Sequence, residues 1–241
     1  RQARRGFHYP PQSAHREQER LDPMDFTTTL TDRAALANGA SPRGNWDNLD
    51  AVWEAARPFL RTRANDVHLP LSLTFAELIL DEHPEADALV TRLATMLHDT
   101  GWARVDEERI ISEGFRSENA MQSDIRIQHE IEGCNIAREI LPPLGYSPAV
   151  VEAVCEIIDG HDTDPQHNGI EDAIMRDADR LWRFQPTGMA YSALWFGKTP
   201  QEIRLRLEDT IYHQLITDEA REIAQIELAR SIELLKLDVI Q

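Results

Sequence analysis

Long apolar runs and cysteine are both scarce in this sequence of 241 residues. The longest apolar stretch, residues 189–197, is far shorter than the ~20 residues that a membrane-spanning helix needs. The two cysteines, Cys134 and Cys155, each fall on the apolar stripe of a predicted helix, which argues against a disulfide framework. The arginine-rich N-terminal residues have no apolar segment behind them, unlike a secretory signal. We therefore expect a cytoplasmic protein with no membrane partner.

Positive charge is also in short supply. The 25 lysines and arginines face 42 aspartates and glutamates, which gives a formal net charge of −17. Proteins that bind nucleic acid polymers usually present a basic face, so this balance argues against a nucleic acid polymer as a partner. It does not exclude a small phosphorylated substrate, because a bound metal ion supplies local positive charge.

Alternating β-branched segments are missing, and apolar residues recur at helical spacing from about residue 46 onward. This pattern predicts an all-α protein, a helical bundle formed by a single domain with a long C-terminal helical extension. We expect a loosely ordered N-terminal extension at residues 1–23 and a helical lead-in at 24–63. The core should then span residues 64–185, and the C-terminal helical extension residues 186–241.

Capping residues and prolines place several helix starts. Asn45 and Asp47 are candidate caps of the first helix. Pro70 is expected in the first turn of the next helix, where proline is tolerated. His83–Pro84 and Ser147–Pro148 should open two later helices in the same way.

Glycine and charge place other boundaries. Gly101 is expected to end the helix before it, as glycine commonly does. The charged stretch 106–123 predicts a loop or an irregular insertion. Residues 170–184 and 201–240 carry helical patterns. The second segment is a candidate lid or dimer element; its apolar surface favours packing on its own domain, and a homodimer contact is the alternative.

Histidines and aspartates near predicted helix ends could supply metal ligands. The candidates are His68, His98 with Asp99, His129, His161, and Asp177 or Asp179. Each residue alone is more easily explained as a capping, core or surface group, but ligands at the ends of several helices can converge in a bundle core. Imidazole nitrogens and carboxylate oxygens together suit iron, manganese, zinc or cobalt.

This ordered combination resembles the HD superfamily of metal-dependent phosphohydrolases, whose signature is a histidine, then a His-Asp pair, then a late aspartate. The stretch LATMLHDTGW looks like the central helix of the family, and RDADRLWRF is similar to its last motif. The resemblance covers about residues 64–185, and it implies His68, His98, Asp99 and Asp179 as ligands. Periodicity alone favours Asp177 instead, because that residue shares the apolar stripe of its helix.

His129 and His161 match positions that two-metal members of the superfamily use for a second ion. The resemblance then implies one ion held by His68, His98 and Asp179, a second held by His129 and His161, and Asp99 as the bridge. A single ion is the alternative, with His129 or His161 touching a substrate phosphate or a bound water. We expect one or two divalent metal ions, with iron or manganese favoured and zinc, cobalt, magnesium or nickel also suitable.

Departures from the family pattern leave the substrate class of the known branches in doubt. Trp102 stands where several branches have a lysine after the His-Asp-x-Gly segment, and where some nucleotidase members have a glutamate. The Gly-Tyr-Pro signature of the branch that hydrolyses cyclic dinucleotides is missing as well. The substrate expectation is therefore only a small phosphorylated metabolite or nucleotide.

The resemblance implies hydrolysis in which a metal lowers the pKa of its bound water, and the resulting hydroxide attacks phosphorus. Nearby arginines, namely Arg104, Arg109, Arg180 and Arg183, are more simply explained as surface residues. No catalytic residue is therefore assigned beyond the metal-bound water, and no other cofactor is expected.

Two other functions compete with hydrolysis. The six-residue ligand set fits equally well the two-iron oxygenases of the superfamily, which cleave a carbon bond of a small substrate. A non-catalytic regulatory module is disfavoured, because no position of the ligand set is lost.

Overall fold

The computed structural model describes residues 49–117 and 123–240. Within these ranges the chain forms eleven α-helices and no β-strand, which confirms the all-α class. The helices are α1 Leu49–Ala56, α2 Asn65–Leu80, α3 Ala88–Leu97, α4 Glu107–Gly114, α5 Asp124–Ile140, α6 Pro148–Ile158, α7 Gly169–Leu181, α8 Pro186–Phe196, α9 Pro200–Arg206, α10 Asp218–Leu234 and α11 Leu237–Ile240. The predicted caps Asn45 and Asp47 and the segment 1–23 lie outside the described residues. None of the described helices has the length and apolar character to cross a membrane.

Helix α3 lies at the centre of the bundle, in contact with α2, α6 and α7. All of its residues from 90 to 97 are buried. Leu93, Met96 and Leu97 are fully covered, and burying each such side chain contributes roughly 2 kcal/mol to the hydrophobic driving force. The Asp87 carboxylate accepts hydrogen bonds from two backbone amides of the first turn and fixes where α3 begins. The C-terminal end of α3 is therefore held deep inside the bundle.

The C-terminal helices pack on their own domain. Helix α10 contacts α7, and the hydroxyl of Ser231 donates a hydrogen bond of 2.6 Å to the carbonyl of Phe184. Met189 and Ile203 join the apolar cluster around the fully buried Trp182. The apolar residues of this extension therefore largely serve the fold of the same chain.

Two predicted helix starts are wrong. Helix α2 begins at Asn65, so Pro70 lies inside the helix and not in its first turn. The pair His83–Pro84 lies in a turn, and α3 begins only at Ala88. In the second case Asp87 supplies the cap, because an aspartate side chain accepts hydrogen bonds from free backbone amides far better than the residues before it.

The charged stretch 106–123 contains a helix, contrary to the predicted loop. Asp106 caps α4 by accepting from the amides of Glu108 and Arg109, and Ile110 is buried. This helix has few apolar residues, so the sequence shows no helical periodicity there. The helical pattern over 201–240 forms more than one helix, because a π-helical turn at Leu207–Ile211 lies between α9 and α10. The predicted starts at Ser147–Pro148 and the helix near residues 170–184 are confirmed.

Candidate metal centre

The His98–Asp99 pair directly follows α3 and is buried. The side-chain amide of Asn65 donates a hydrogen bond of 2.8 Å to the carbonyl of Asp99. The Nδ1 atom of His98 lies 2.9 Å from the carbonyl oxygen of Thr95. Both contacts hold the pair in place through the backbone, which leaves the Asp99 carboxylate and the Nε2 atom of His98 to face the interior of the bundle.

Gly101 does not end α3 as predicted, because the helix ends at Leu97 and Gly101 lies in a short 3₁₀ turn, Thr100–Arg104. A Cβ atom at this position would lie 1.9 Å from the carbonyl oxygen of His129 and 2.4 Å from the amide nitrogen of Gly133. The missing side chain therefore lets the turn approach α5 closely, and this approach brings His129 to the His98–Asp99 pair.

The first half of the cluster contains His68, His98 and Asp179, which come from α2, the end of α3 and α7. The Oδ1 atom of Asp179 lies 2.9 Å from Nε2 of His68 and 3.5 Å from Nε2 of His98. All three residues are buried, and one ligand atom of each lies within 4.8 Å of the others. This spacing can hold a metal ion.

The second half contains His129 of α5, with His161 and Asp162 after the end of α6. The two Nε2 atoms of His129 and His161 are 3.5 Å apart, and Oδ2 of Asp162 lies 3.9 Å from Nε2 of His129. These three residues form another group that can hold a metal ion. Asp162 was absent from the predicted site, although a second His-Asp dipeptide in the sequence marks it.

The Asp99 carboxylate lies between the two halves. Its Oδ2 atom is 3.2 Å from Nδ1 of His68, and its Oδ1 atom is 3.5 Å and 3.6 Å from Nε2 of His129 and His161. Burial acts to raise the pKa of Asp99, but the charge of Arg63 and the contacts with the surrounding histidines together outweigh this effect and keep the pKa well below its usual range. An ionised carboxylate with one oxygen toward each half is able to bridge two cations.

Backbone carbonyls orient two of the imidazole rings. Nδ1 of His98 faces the carbonyl of Thr95, and Nδ1 of His161 lies 2.8 Å from the carbonyl of Ile158. A proton on each Nδ1 directs the Nε2 atom into the cluster, as in many histidine ligands of metals. Nε2 of His98 is buried and finds no hydrogen-bond partner among the described residues. A metal ion would satisfy this nitrogen, so the donor set fits a divalent cation.

The pKa values of the two histidines in the second half diverge. Burial, together with the charge of His161, lowers the pKa of His129 to about 3. Burial also acts to lower the pKa of His161, but the hydrogen bond to Asp99 and the charge of Asp162 outweigh it and raise this pKa to about 9. A metal ion binds a deprotonated imidazole, so it would displace the proton from Nε2 of His161.

The structure separates the two aspartates between which the sequence left a choice. Asp179 lies in the cluster, as described above. The Asp177 carboxylate instead accepts hydrogen bonds from the backbone amides of Ile216 and Thr217, and from the Thr217 hydroxyl at 2.9 Å. Asp177 therefore attaches the segment before α10 to the core and takes no part in the cluster.

Trp102 and Arg63 both contact the Asp99 carboxylate. The indole N–H of Trp102 donates to Oδ1 at 2.9 Å, and its ring stacks on His129 with the ring centres 4.0 Å apart. Arg63 donates to Oδ2 at 2.8 Å, and its guanidinium lies over three aromatic rings, including that of Phe115 at 4.7 Å. Several branches of the superfamily have a lysine where this chain has Trp102. Here Arg63 supplies a cation beside the His-Asp pair. No sequence signal marked Arg63.

A cavity of about 780 Å³ opens beside the cluster, and Asp99, His161, Asp162 and Asp179 form part of its wall. Six arginines also line it: Arg63, Arg126, Arg176, Arg180, Arg183 and Arg206. The surface interpretation of two arginines is therefore wrong, because the side chains of Arg180 and Arg183 are only 19% and 21% exposed. Their positions depend on how α7 packs, which the local sequence does not reveal.

Arg104 and Arg109 lie elsewhere and match the surface interpretation. Arg104 forms ion pairs with Glu132 and Glu139. Arg109 pairs with Glu113 in its own helix, and its side chain is 37% exposed. Neither residue lines the cavity.

Residues 67–183 match the sequence model of the HD domain family. The match spans all six predicted ligands, and it assigns this region of the chain to the HD-domain superfamily of metal-dependent phosphohydrolases. An HD domain fits the His/Asp groups that can hold a metal ion, and it indicates metal-dependent hydrolase activity. Neither the curated proteins nor the solved structures contain a match to this chain.

Proposed function

We propose that this protein is a metal-dependent phosphohydrolase that acts on a small phosphorylated metabolite or nucleotide. The observation that carries the proposal is the arginine-lined cavity that opens onto the His/Asp cluster. Six arginines and four aspartates line this cavity, whereas the whole chain carries a net charge of −17. A cavity that is locally positive in an acidic protein favours an anionic substrate. Its volume of about 780 Å³ suits a small molecule.

Two divalent ions, iron or manganese in the first instance, are proposed for the cluster. His68, His98 and Asp179 would hold one ion, His129, His161 and Asp162 the other, and Asp99 would bridge them. Bound ions of this kind lower the pKa of a coordinated water and offset charge on phosphoryl oxygens.

Arginines keep the proposed carboxylate ligands ionised and oriented. Arg183 donates hydrogen bonds to both the carbonyl and the Oδ2 atom of Asp179, at 2.7 Å and 3.1 Å. Burial acts to raise the pKa of Asp179, but the charge of Arg183 and the contact with His68 outweigh it and hold this pKa well below its usual range. Arg126 forms the corresponding ion pair with Asp162. Such supporting contacts fix ligand geometry.

Metal analysis combined with phosphate release tests this proposal on the full chain purified without chelators. Wild type should carry about two equivalents of metal and release phosphate from members of a nucleotide and sugar-phosphate panel. In His98→Ala we expect at least one equivalent to be lost and the rate to fall by about 100-fold or more. His83→Ala is the matched control, because His83 pairs with Glu85 and Glu219 away from the cluster and should leave both readouts unchanged.

Other outcomes would contradict the proposal at different points. Wild type without metal would reject the metal centre altogether. A wild-type metal content of one equivalent would rule out the second ion. His129 and His161 would then be assigned to contacts with substrate or water. Iron-loaded protein that consumes dioxygen and releases no phosphate from any substrate would favour the oxygenase chemistry.

A further inference from the structure

The cavity wall extends beyond the HD domain, because α9 contributes Arg206 from the C-terminal extension. Four of the six cavity arginines have a clear partner that explains their position. These pairs are Arg63 with Asp99, Arg126 with Asp162, Arg176 with Asp172, and Arg183 with Asp179. Arg206 and Arg180 have no comparably close carboxylate partner among the described residues.

Arg206 is the last residue of α9 and is partly buried. Its guanidinium lies 4.6 Å from the centre of the Phe196 ring. Within residues 49–117 and 123–240 it makes no hydrogen bond and no ion pair. Burial lowers the pKa of Arg206, and the charges of Arg183 and Arg126 lower it further. Arg206 therefore lies within electrostatic range of two other guanidinium groups, and it has no carboxylate of its own among the described residues.

Arg180 on α7 is also incompletely paired. Its Nη1 atom is buried and makes no hydrogen bond with any described residue. The nearest carboxylate oxygen belongs to Asp177, 3.6 Å away, but that carboxylate already accepts hydrogen bonds from the backbone and hydroxyl of Thr217. Burial lowers the pKa of Arg180, the charges of Asp179 and Asp177 act to raise it, and the charge of Arg183 acts to lower it.

Partly buried cations without a matched anion are unfavourable unless a ligand completes them. Guanidinium groups bind phosphate and carboxylate through paired N–H donors. We propose that Arg180 and Arg206 form an oxyanion subsite on the cavity wall, separate from the metal centre. Resting on the proposed function, this subsite identifies the substrate as a small molecule with a second phosphate or carboxylate besides the phosphoryl group that is cleaved.

Calorimetric titration of the metal-loaded full chain with inorganic phosphate tests the subsite directly. Wild type should bind two phosphates, one at the metal centre and one at the subsite. Arg206→Met should weaken the second phosphate at least tenfold while its metal content stays at the wild-type value. Arg180→Met, on a different helix, should weaken the same phosphate. Arg204→Met is the matched control on α9, because Arg204 pairs with Glu208 and Asp238 at the surface.

The titration also separates failure of the subsite from failure of the proposed function. A wild-type protein that binds a single phosphate, or variants that bind two as tightly as wild type, would overturn the subsite even if the enzyme hydrolyses phosphoesters. Loss of the second phosphate in both variants would support it even if no phosphoester is hydrolysed. A parallel titration with acetate distinguishes the two ligand classes: tighter phosphate points to substrates with two phosphates, and tighter acetate to phosphorylated carboxylic acids.

Discussion

At the scale of single residues, Asp177 and Asp179 show how two similar side chains in one helix take different roles. Successive residues of an α-helix are rotated by about 100°, so residues two apart point to nearly opposite sides. Asp179 faces His68 at 2.9 Å, whereas Asp177 faces the backbone of Ile216 and Thr217. One carboxylate lies in the cluster that can hold a metal ion, and the other joins two parts of the fold.

Matched amide variants of these residues should separate the two roles. Asp179→Asn should lose metal, because the amide cannot replace the charge of a ligand carboxylate. Asp177→Asn should keep the wild-type metal content but lose about 1–3 kcal/mol of unfolding free energy, since a charged acceptor of several hydrogen bonds is weakened. Metal analysis and urea denaturation measure the two effects. The reverse assignment would hold if only Asp177→Asn lost metal.

At the scale of secondary-structure elements, the contact between the turn after α3 and helix α5 decides whether the cluster forms. Gly101 and Gly133 allow this contact, because a Cβ atom at Gly101 would lie 1.9 Å from the carbonyl oxygen of His129. A Cβ atom at Gly133 would lie 3.2 Å from the carbonyl oxygen of His98. The main chains of two ligand-bearing elements are thus almost in contact, and any side chain between them would separate His98 from His129.

Gly101→Ala should therefore be costly. The added methyl group must push the turn away from α5, and such overpacking should lower the unfolding free energy by about 2–3 kcal/mol. Metal content should fall as well, because His129 would move relative to Asp99. Gly145→Ala is the control: Gly145 has φ of 88°, but a Cβ atom added there would meet no other atom within 4 Å, so only backbone strain of about 1 kcal/mol is expected. Equal losses in the two variants would contradict the close-contact argument.

At the scale of the whole molecule, the proposed metals would connect distant parts of the chain. The cluster draws His68 from α2, His129 from α5 and Asp179 from α7, around the pair that ends α3. A ligand that binds only the folded state stabilises it by an amount set by its concentration relative to its Kd. Bound metal should therefore contribute to global stability as well as to chemistry.

Removal of metal should lower the melting temperature. At a free metal concentration 1,000 times the Kd, binding adds about 4 kcal/mol, which corresponds to a Tm shift of roughly 10 °C for a domain of this size. Thermal unfolding of wild type with and without a chelator measures the shift. In His98→Ala the chelator should shift the Tm less than in wild type, because this variant has already lost at least one ion. A wild-type Tm that the chelator leaves unchanged would argue against a metal that links these helices.

Sequence patterns alone were enough to predict the all-α class, the HD-domain resemblance and the six residues that the structure brings together. These features can be predicted from the sequence because each depends on neighbouring residues or on the order of residues along the chain. Helical spacing of apolar residues reflects one buried face, Ser147–Pro148 forms a start signal within two residues, and the His-Asp pair stands in a recognisable motif. The metal-ligand role of those six residues stays a prediction that the metal analysis above will test.

The surroundings of those residues depend on how the helices pack and could not be predicted from the sequence. Helix α4 has too few apolar residues to show a period, and the cap Asp106 becomes meaningful only once the helix is seen. Arg63 and Arg206 carry no signal in the sequence strong enough to select them, because charged residues are common and mostly lie at the surface. They become distinctive through burial and through partners far away in the chain. The positive cavity of an acidic protein arises in the same way, since packing gathers arginines that the sequence leaves scattered.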